Sequence, residues 1–217
     1  MVIMKQVLIT GTSNGVGKAA AKRFLKEPDF FVYGIDNKPA TIDDIRYRHY
    51  EIDVRDKDKL PEIASLNYIV NNAGIVTPQK DAIDVNLFGY INILEKYGMN
   101  SGLKSIVQIG STASIKGYDN IRYCASQGGR DALTKWAANN YGNDKRHVIV
   151  NSLNLDGIVA ADPEHGIEGT SLEPKLYAEN GLMDSIADLS ILKKLASVEE
   201  IAEWIYFLAV INTVMTG

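Results

Sequence analysis

Short apolar runs alternate along this chain with longer stretches whose apolar residues recur at helical spacing. Val7-Leu8-Ile9, Phe31-Val32-Tyr33-Gly34-Ile35, Tyr50-Glu51-Ile52, Tyr68-Ile69-Val70, Ser105 to Ile109 and Val148 to Leu153 predict strands. Helices are predicted over Val16 to Leu25, around Lys59 to Ala64, over Ile83 to Tyr97, Arg122 to Tyr141 and Val198 to Val210. Pro61 fits a first helical turn, where its missing N–H has no intrahelical partner. Gly98 stops the third helix, and Ser197 with Glu200 forms a capping box on the last. Strand–helix alternation predicts a doubly wound α/β fold, a mostly parallel sheet between two helical layers. Right-handed crossovers then put every loop that follows a strand on one edge, where ligands bind. Residues 1–217 read as one domain without repeats or linkers. The region of about 160–190, with Pro163, Gly166, Gly169 and Pro174, fits no core element and reads as a substrate lid.

Composition narrows the class. Of 217 residues 46% are hydrophobic and 23% charged, which is ordinary for a globular domain. A net charge of −4 argues against a nucleic-acid partner, because neutralising phosphates requires a basic face. Cys124 is the single cysteine, so no intramolecular disulfide forms. Met1 to Lys5 lacks a long apolar leader, and no apolar run is long enough to span a membrane. A cytoplasmic protein is expected, with no metal.

Thr10 to Gly17 joins the first strand to the first helix. Gly11, Ser13, Asn14, Gly15, Val16 and Gly17 would let bare backbone approach a pyrophosphate seated on the helix N-terminus. Strand before and helix after give this glycine pattern its weight, and point to a Rossmann fold. Gly11-Thr12-Ser13-Asn14-Gly15 also satisfies the G-x-S-x-G nucleophile elbow, so a serine hydrolase using Ser13 is a second reading. The elbow normally follows several strands, whereas this one follows the first. His49, His147 and His165 lie downstream as candidate bases. Asp36 ends the second strand, where a carboxylate would accept hydrogen bonds from the adenosine ribose and repel a 2′-phosphate. Asn37 is neutral and Lys38 is the one nearby cation, so NAD(H) is expected over NADP(H). Asp36 also reads as a turn residue, and the two readings are compatible.

Six segments in order resemble the short-chain dehydrogenase/reductase family over nearly the whole chain. They are Thr10 to Gly17, Asp53-Val54, Asn71-Asn72-Ala73-Gly74, Asn86, Ser111, and Tyr123-Cys124-Ala125-Ser126-Gln127. The resemblance implies that Asp53 and Val54 border the adenine, and that Asn72, Ala73 and Gly74 brace the fourth strand and meet the cofactor. Gly157 and Ile158 are placed beside it too. By the same resemblance Asn86 holds a water in a proton relay, Ser111 bonds the substrate oxygen and Tyr123 is the acid/base. Thr112 and Ser114 are lesser candidates for the serine role. A secondary alcohol or ketone is the implied substrate, and a homodimer or homotetramer, built on the two long helices, the implied assembly.

The chain departs from the family's Tyr-x-x-x-Lys motif at Gln127. The family lysine binds the nicotinamide ribose and favours the tyrosinate. A nearby cation lowers an acid's pKa by roughly 1–3 units, about 1.4–4 kcal/mol of proton-transfer driving force. Gln127 can still bond a ribose hydroxyl. A slower enzyme, an engineered inactive form and an NAD-binding relative without turnover are therefore open alternatives. Arg122 and Arg130 are the nearest cations, and neither shares the Tyr123 face at the required spacing. Asp156 stands where the family has proline, Ala161 where it often has threonine, and the stretch from Gly74 to Asn86 is short. The family's seventh strand is missing from the pattern, leaving the sixth strand's edge uncovered or paired elsewhere.

Overall fold

The computed structural model describes residues 4–76, 79–117, 120–159, 187–188 and 193–217. The strands are β1 (Lys5–Thr10), β2 (Phe30–Asp36), β3 (Tyr47–Glu51), β4 (Tyr68–Asn71), β5 (Ser105–Ser111) and β6 (Ile149–Leu155). All pair in parallel, in the order β3-β2-β1-β4-β5-β6. Val7, Leu8 and Ile9 of β1 are all 0% exposed, because a central parallel strand is covered on both faces. That is why its apolar residues run on without alternation.

The helices are α1 (Gly15–Leu25), α2 (Gly89–Tyr97), α3 (Ala113–Lys116), α4 (Ile121–Gly142) and α5 (Val198–Tyr206). One face of the sheet packs Val7 and Ile9 against Phe24 of α1 and Ile201 and Ile205 of α5. The other packs Leu8 and Ile69 against Ile93 and Tyr97 of α2 and Ala137 and Tyr141 of α4. Small residues at Ala19, Ala20 and Ala21 let α1 lie close, while Phe24 meets Phe30 edge-on at 5.2 Å. The predicted capping box is present. Ser197 Oγ accepts from Glu200 N at 3.1 Å, and Ser197 N donates to Glu200 Oε2 at 3.0 Å. No described helix is long and apolar enough to cross a membrane.

Several expectations are corrected. No helix forms around Lys59 to Ala64, only a tight turn at Lys57–Lys59. Leu60 and Ile63 still bury themselves, but tertiary side chains satisfy the backbone there. Tyr97 OH donates to Pro61 O at 2.8 Å, and Asn100 bonds both Ile63 O and Leu66 N. β3 begins at Tyr47, earlier than expected, because it is an edge strand with little alternation to mark it. The helix predicted from Ile83 opens on a π turn over Asp84–Phe88 before α2. The sixth strand's outer edge is partly covered. Gly217 N donates to Val150 O at 2.8 Å, and Val150 N to Thr216 Oγ1 at 3.0 Å. The proposed lid over about 160–190, apart from Ala187 and Asp188, lies outside the described residues, as do Ala161 and His165.

Candidate active site

Every strand ends on one edge of the sheet, and the predicted site residues gather there. β1 and β4 are neighbours whose chains continue in opposite directions across the sheet, the switch point at which such folds bind ligands. Gly11 takes φ +77°, and a Cβ on Gly17 would lie 2.1 Å from Gly11 O. The loop therefore closes so tightly that only glycine fits at Gly17. Thr10 Oγ1 accepts from the backbone N–H of both Asn72 and Ala73 at 2.9 Å, and Asn72 Nδ2 donates to Thr10 O at 2.8 Å. These bonds clamp the loop after β4 onto the glycine loop. Asn14 is the N-cap of α1 without a side-chain capping bond, and the first turn, with Val16, carries no acid. The helix dipole thus opens toward the loop, which suits an anion.

Asp36 is already tied to this loop. Its Oδ2 accepts from Ser13 N at 2.9 Å and its Oδ1 from Lys38 N at 3.0 Å, so its carboxylate is fixed at the tip of β2 beside exposed Asn37. A carboxylate has further lone pairs for ribose hydroxyls. Ser13 is buried, and its hydroxyl donates to Lys38 O and Pro39 O at 3.1 and 2.9 Å. His49 bonds Tyr47 OH and Lys38 O, and His147 bonds Gly142 O. No described histidine is poised on Ser13, and a nucleophile needs its base within hydrogen-bond reach. Among the described residues the hydrolase reading therefore finds no base.

Asp53 is gripped by Arg55 through Nε and Nη2, which holds its carboxyl below the usual range. Val54 is buried against Gly89, and its carbonyl accepts from Asn92 Nδ2 at 3.0 Å.

Asn86 lies in the π turn, fully buried. Its Oδ1 accepts from Ile75 N and its Nδ2 donates to Ile75 O, both at 2.8 Å. Ser111 ends β5 and its Oγ accepts from Ala113 N at 3.1 Å. The Ser114 hydroxyl is buried without a partner among the described residues. Tyr123 stands half-buried in the first turn of α4, where its N–H bonds the N-cap Asn120 at 2.9 Å. Gln127 is only 1% exposed, its amide turned to Ser126 Oγ at 3.4 Å.

Arg122 is exposed and bonds Lys80 O, away from this group. Arg130 is buried instead. It stands seven residues on from Tyr123, about two helical turns, and so not at the four-residue spacing of the family motif. Its Nε donates to Asn86 O at 2.7 Å, its Nη1 to Ile109 O at 2.8 Å and its Nη2 to Ala73 O at 2.8 Å. Its carbon Cζ sits 3.6 Å from the centre of the Tyr90 ring.

Residues 5–165 match the short chain dehydrogenase family. The chain belongs to that family. L-xylulose reductase of Caenorhabditis elegans is 27% identical over 98% of this chain and 91% of its own. Among solved structures, ElxO with NADP bound superposes with a TM-score of 0.78 at 23% identity, covering 98% of this chain and 94% of its own. A short chain dehydrogenase from Leptospira borgpetersenii with bound NAD+ also gives 0.78, at 18% identity, covering 98% and 89%.

Members of this family use nicotinamide dinucleotides, and the cradle fits one. The glycine loop leaves no room for side chains, the helix opens without an acid, and Asp36 presents lone pairs at the tip of β2. In this short chain dehydrogenase Ile158 bridges to Ala196 just after Gly157, and Val159 N donates to Ala196 O at 3.0 Å. Asp156 pairs with Lys116, joining the segments that follow β6 and β5. Tyr90 and the contacts of Thr10 and Arg130 escaped the sequence reading. Thr10 clamps the loops, while Tyr90 and Arg130 form a buried pair under the site.

Proposed function

We propose that this dehydrogenase interconverts a secondary alcohol and its ketone with NAD(H), with Tyr123 moving the proton. The observation that carries this reading is the gathering, on one sheet edge, of the phosphate cradle, Asp36, Ser111 and Tyr123. Held by the glycine loop and Asp36, the coenzyme would supply or take the hydride at the carbinol carbon. The chain's own residues do the rest. Gly11 to Gly17 would offer backbone N–H groups to the pyrophosphate, Asp36 would hold the adenosine ribose, and the loop of Asn72 to Gly74 would border the nicotinamide side. Asp53, paired with Arg55, and buried Val54 would wall the adenine. Ser111 would hydrogen-bond the substrate oxygen while Tyr123 takes its proton in oxidation and returns it in reduction, a general acid–base role.

Asp36 favours NAD(H), because its fixed charge opposes a 2′-phosphate and Asn37 offers no cation against it. Gln127 alone would fit a relative that binds NADH without turnover. The Asn86 side chain tethers Ile75, and its carbonyl, which accepts from Arg130, would keep a second lone pair for a relay water. The outward faces of α2 and α4 are proposed to join two subunits.

Tyr123→Phe is expected to lower turnover by about 10²–10⁴-fold, the usual range for losing an acid–base group. NADH should still raise the melting temperature, since binding to the folded state alone stabilises it. If NADH stabilises the native chain but no ketone or diol is turned over, the binding-only reading wins. If NADH gives no stabilisation, the cradle reading fails.

A further inference from the structure

The edge strand β3 sends a side chain back across its neighbour to the glycine loop. Tyr47 pairs with Val32 of β2 and His49 with Gly34, so both residues face the same side of the sheet. Tyr47 OH lies 2.8 Å from Thr12 Oγ1 and 2.8 Å from His49 Nδ1. His49 Nε2 lies 2.8 Å from Lys38 O, in the loop that follows β2. Gly34 makes this reach possible. A Cβ there would come within 2.2 Å of Tyr47 OH and 2.5 Å of Thr12 Oγ1, so a larger residue would shut the path.

The direction of this chain of bonds follows from its end. A carbonyl only accepts, so His49 Nε2 donates to Lys38 O. A neutral ring then accepts at Nδ1 from Tyr47 OH, which in turn accepts from the Thr12 hydroxyl. Thr12 is 0% exposed. Burial pushes the Tyr47 phenol above its ordinary value, so it keeps the proton that the chain needs.

The two ends of the chain flank Asp36. Thr12 precedes Ser13, whose N–H donates to Asp36 Oδ2 at 2.9 Å, and Lys38 N donates to Asp36 Oδ1 at 3.0 Å. Further bonds draw the loop after β2 onto the glycine loop. Ser13 Oγ donates to Lys38 O and Pro39 O, and Thr41 Oγ1 donates to Ser13 O at 2.8 Å. The donors that aim the carboxylate are thus themselves held from β3. Both N–H groups, which could otherwise meet a 2′-phosphate, are engaged by Asp36.

We infer that Tyr47 sets the coenzyme preference by fixing, through Thr12 and His49, the two backbone donors that aim Asp36. The inference rests on Asp36 holding the adenosine ribose of NAD(H). Tyr47 acts through Asp36 rather than by contact with the coenzyme, so it is a positioning residue.

The test measures Kd for NAD and for NADP by titration calorimetry on the whole chain. Tyr47→Phe removes the hydroxyl alone. It is expected to weaken NAD binding by about 3–10-fold, with NADP binding kept within about twofold, so the preference narrows. In an Asp36→Asn background the same substitution should change Kd for NAD by less than about twofold, because an amide oxygen can accept but its nitrogen cannot, and the paired hold is already broken. His49→Phe, which keeps a ring but loses the bond to Lys38 O, should narrow the preference in the same direction. A ratio of the two Kd values that Tyr47→Phe leaves unmoved would overturn the inference. His49→Phe decides in the same way if Tyr47→Phe does not fold. A loss of equal size in the native and Asp36→Asn backgrounds would also overturn it, since a side chain that merely supports the fold acts alike in both. If Asp36→Asn alone leaves NAD binding unchanged, the ribose reading itself falls, whatever the Tyr47 variants do.

Discussion

At the scale of single residues, Asp36 is fixed before any ligand arrives. Bonds from Ser13 N and Lys38 N hold both carboxylate oxygens in place, so the ribose would meet a preorganised acceptor. A hydrogen bond to a charged group contributes about 1.5–3 kcal/mol, and every 1.4 kcal/mol is about tenfold in Kd. Asp36→Asn is therefore expected to weaken NAD binding by about 10–100-fold while sparing or improving NADP binding. Titration calorimetry with both coenzymes checks this, and an unchanged ratio of the two Kd values would refute it. The placement of Asp36 at the end of β2 and of Tyr123 at the opening of α4 was legible in the sequence, because the apolar pattern marks that strand and that helix. The carbonyls that hold Arg130 were not legible, because they come from segments 21 to 57 residues away in the chain.

At the scale of elements, α5 is a short helix that depends on its cap. Val198, Ile201, Ala202 and Ile205 bury one face against α1, and Ser197 with Glu200 satisfies the open N-terminal donors. Ser197→Ala is expected to lower stability by about 1 kcal/mol. For a chain of this length that is a fall in Tm of about 2–4 °C, read by a thermal melt. The Glu200 carboxyl is held below its usual range first by Lys194 and then by the Ser197 N–H. A lowered folded-state value means that its contribution is present above the usual carboxylate range. It is lost as pH falls through the lowered value. The stability gap between the native chain and Glu200→Gln should accordingly narrow on acidification, and a gap that widened would contradict this sign. The absent helix at Lys59 to Ala64 shows the opposite balance. There Tyr97 and Asn100 supply bonds from elsewhere in the fold, and no local pattern could reveal them.

At the scale of the whole molecule, apolar side chains remain outside the two cores. Trp136 on α4 is 47% exposed and Phe88, just before α2, is 51% exposed. A Cβ on Gly128 of α4 would meet nothing, so a second helix has room to approach. A dimer through this face would bury both aromatic rings, whose burial drives association. Trp136→Glu is expected to yield monomers in sedimentation equilibrium at micromolar concentration. A native chain that sediments as a monomer would dispose of the proposed assembly.

The alternation of apolar runs and amphipathic stretches determined by itself that a parallel sheet would lie between two helical layers. It also determined where the glycine loop and its acid would stand, because burial on both faces and the needs of a tight turn are written locally. Tertiary structure alone decided which groups meet. It turned the Ser13 hydroxyl onto backbone carbonyls and unmade a helix whose backbone found other partners. It also carried the Arg130 guanidinium of α4 between carbonyls of three separate segments. Such contacts join residues far apart in the chain, and their energy depends on geometry that no local window contains.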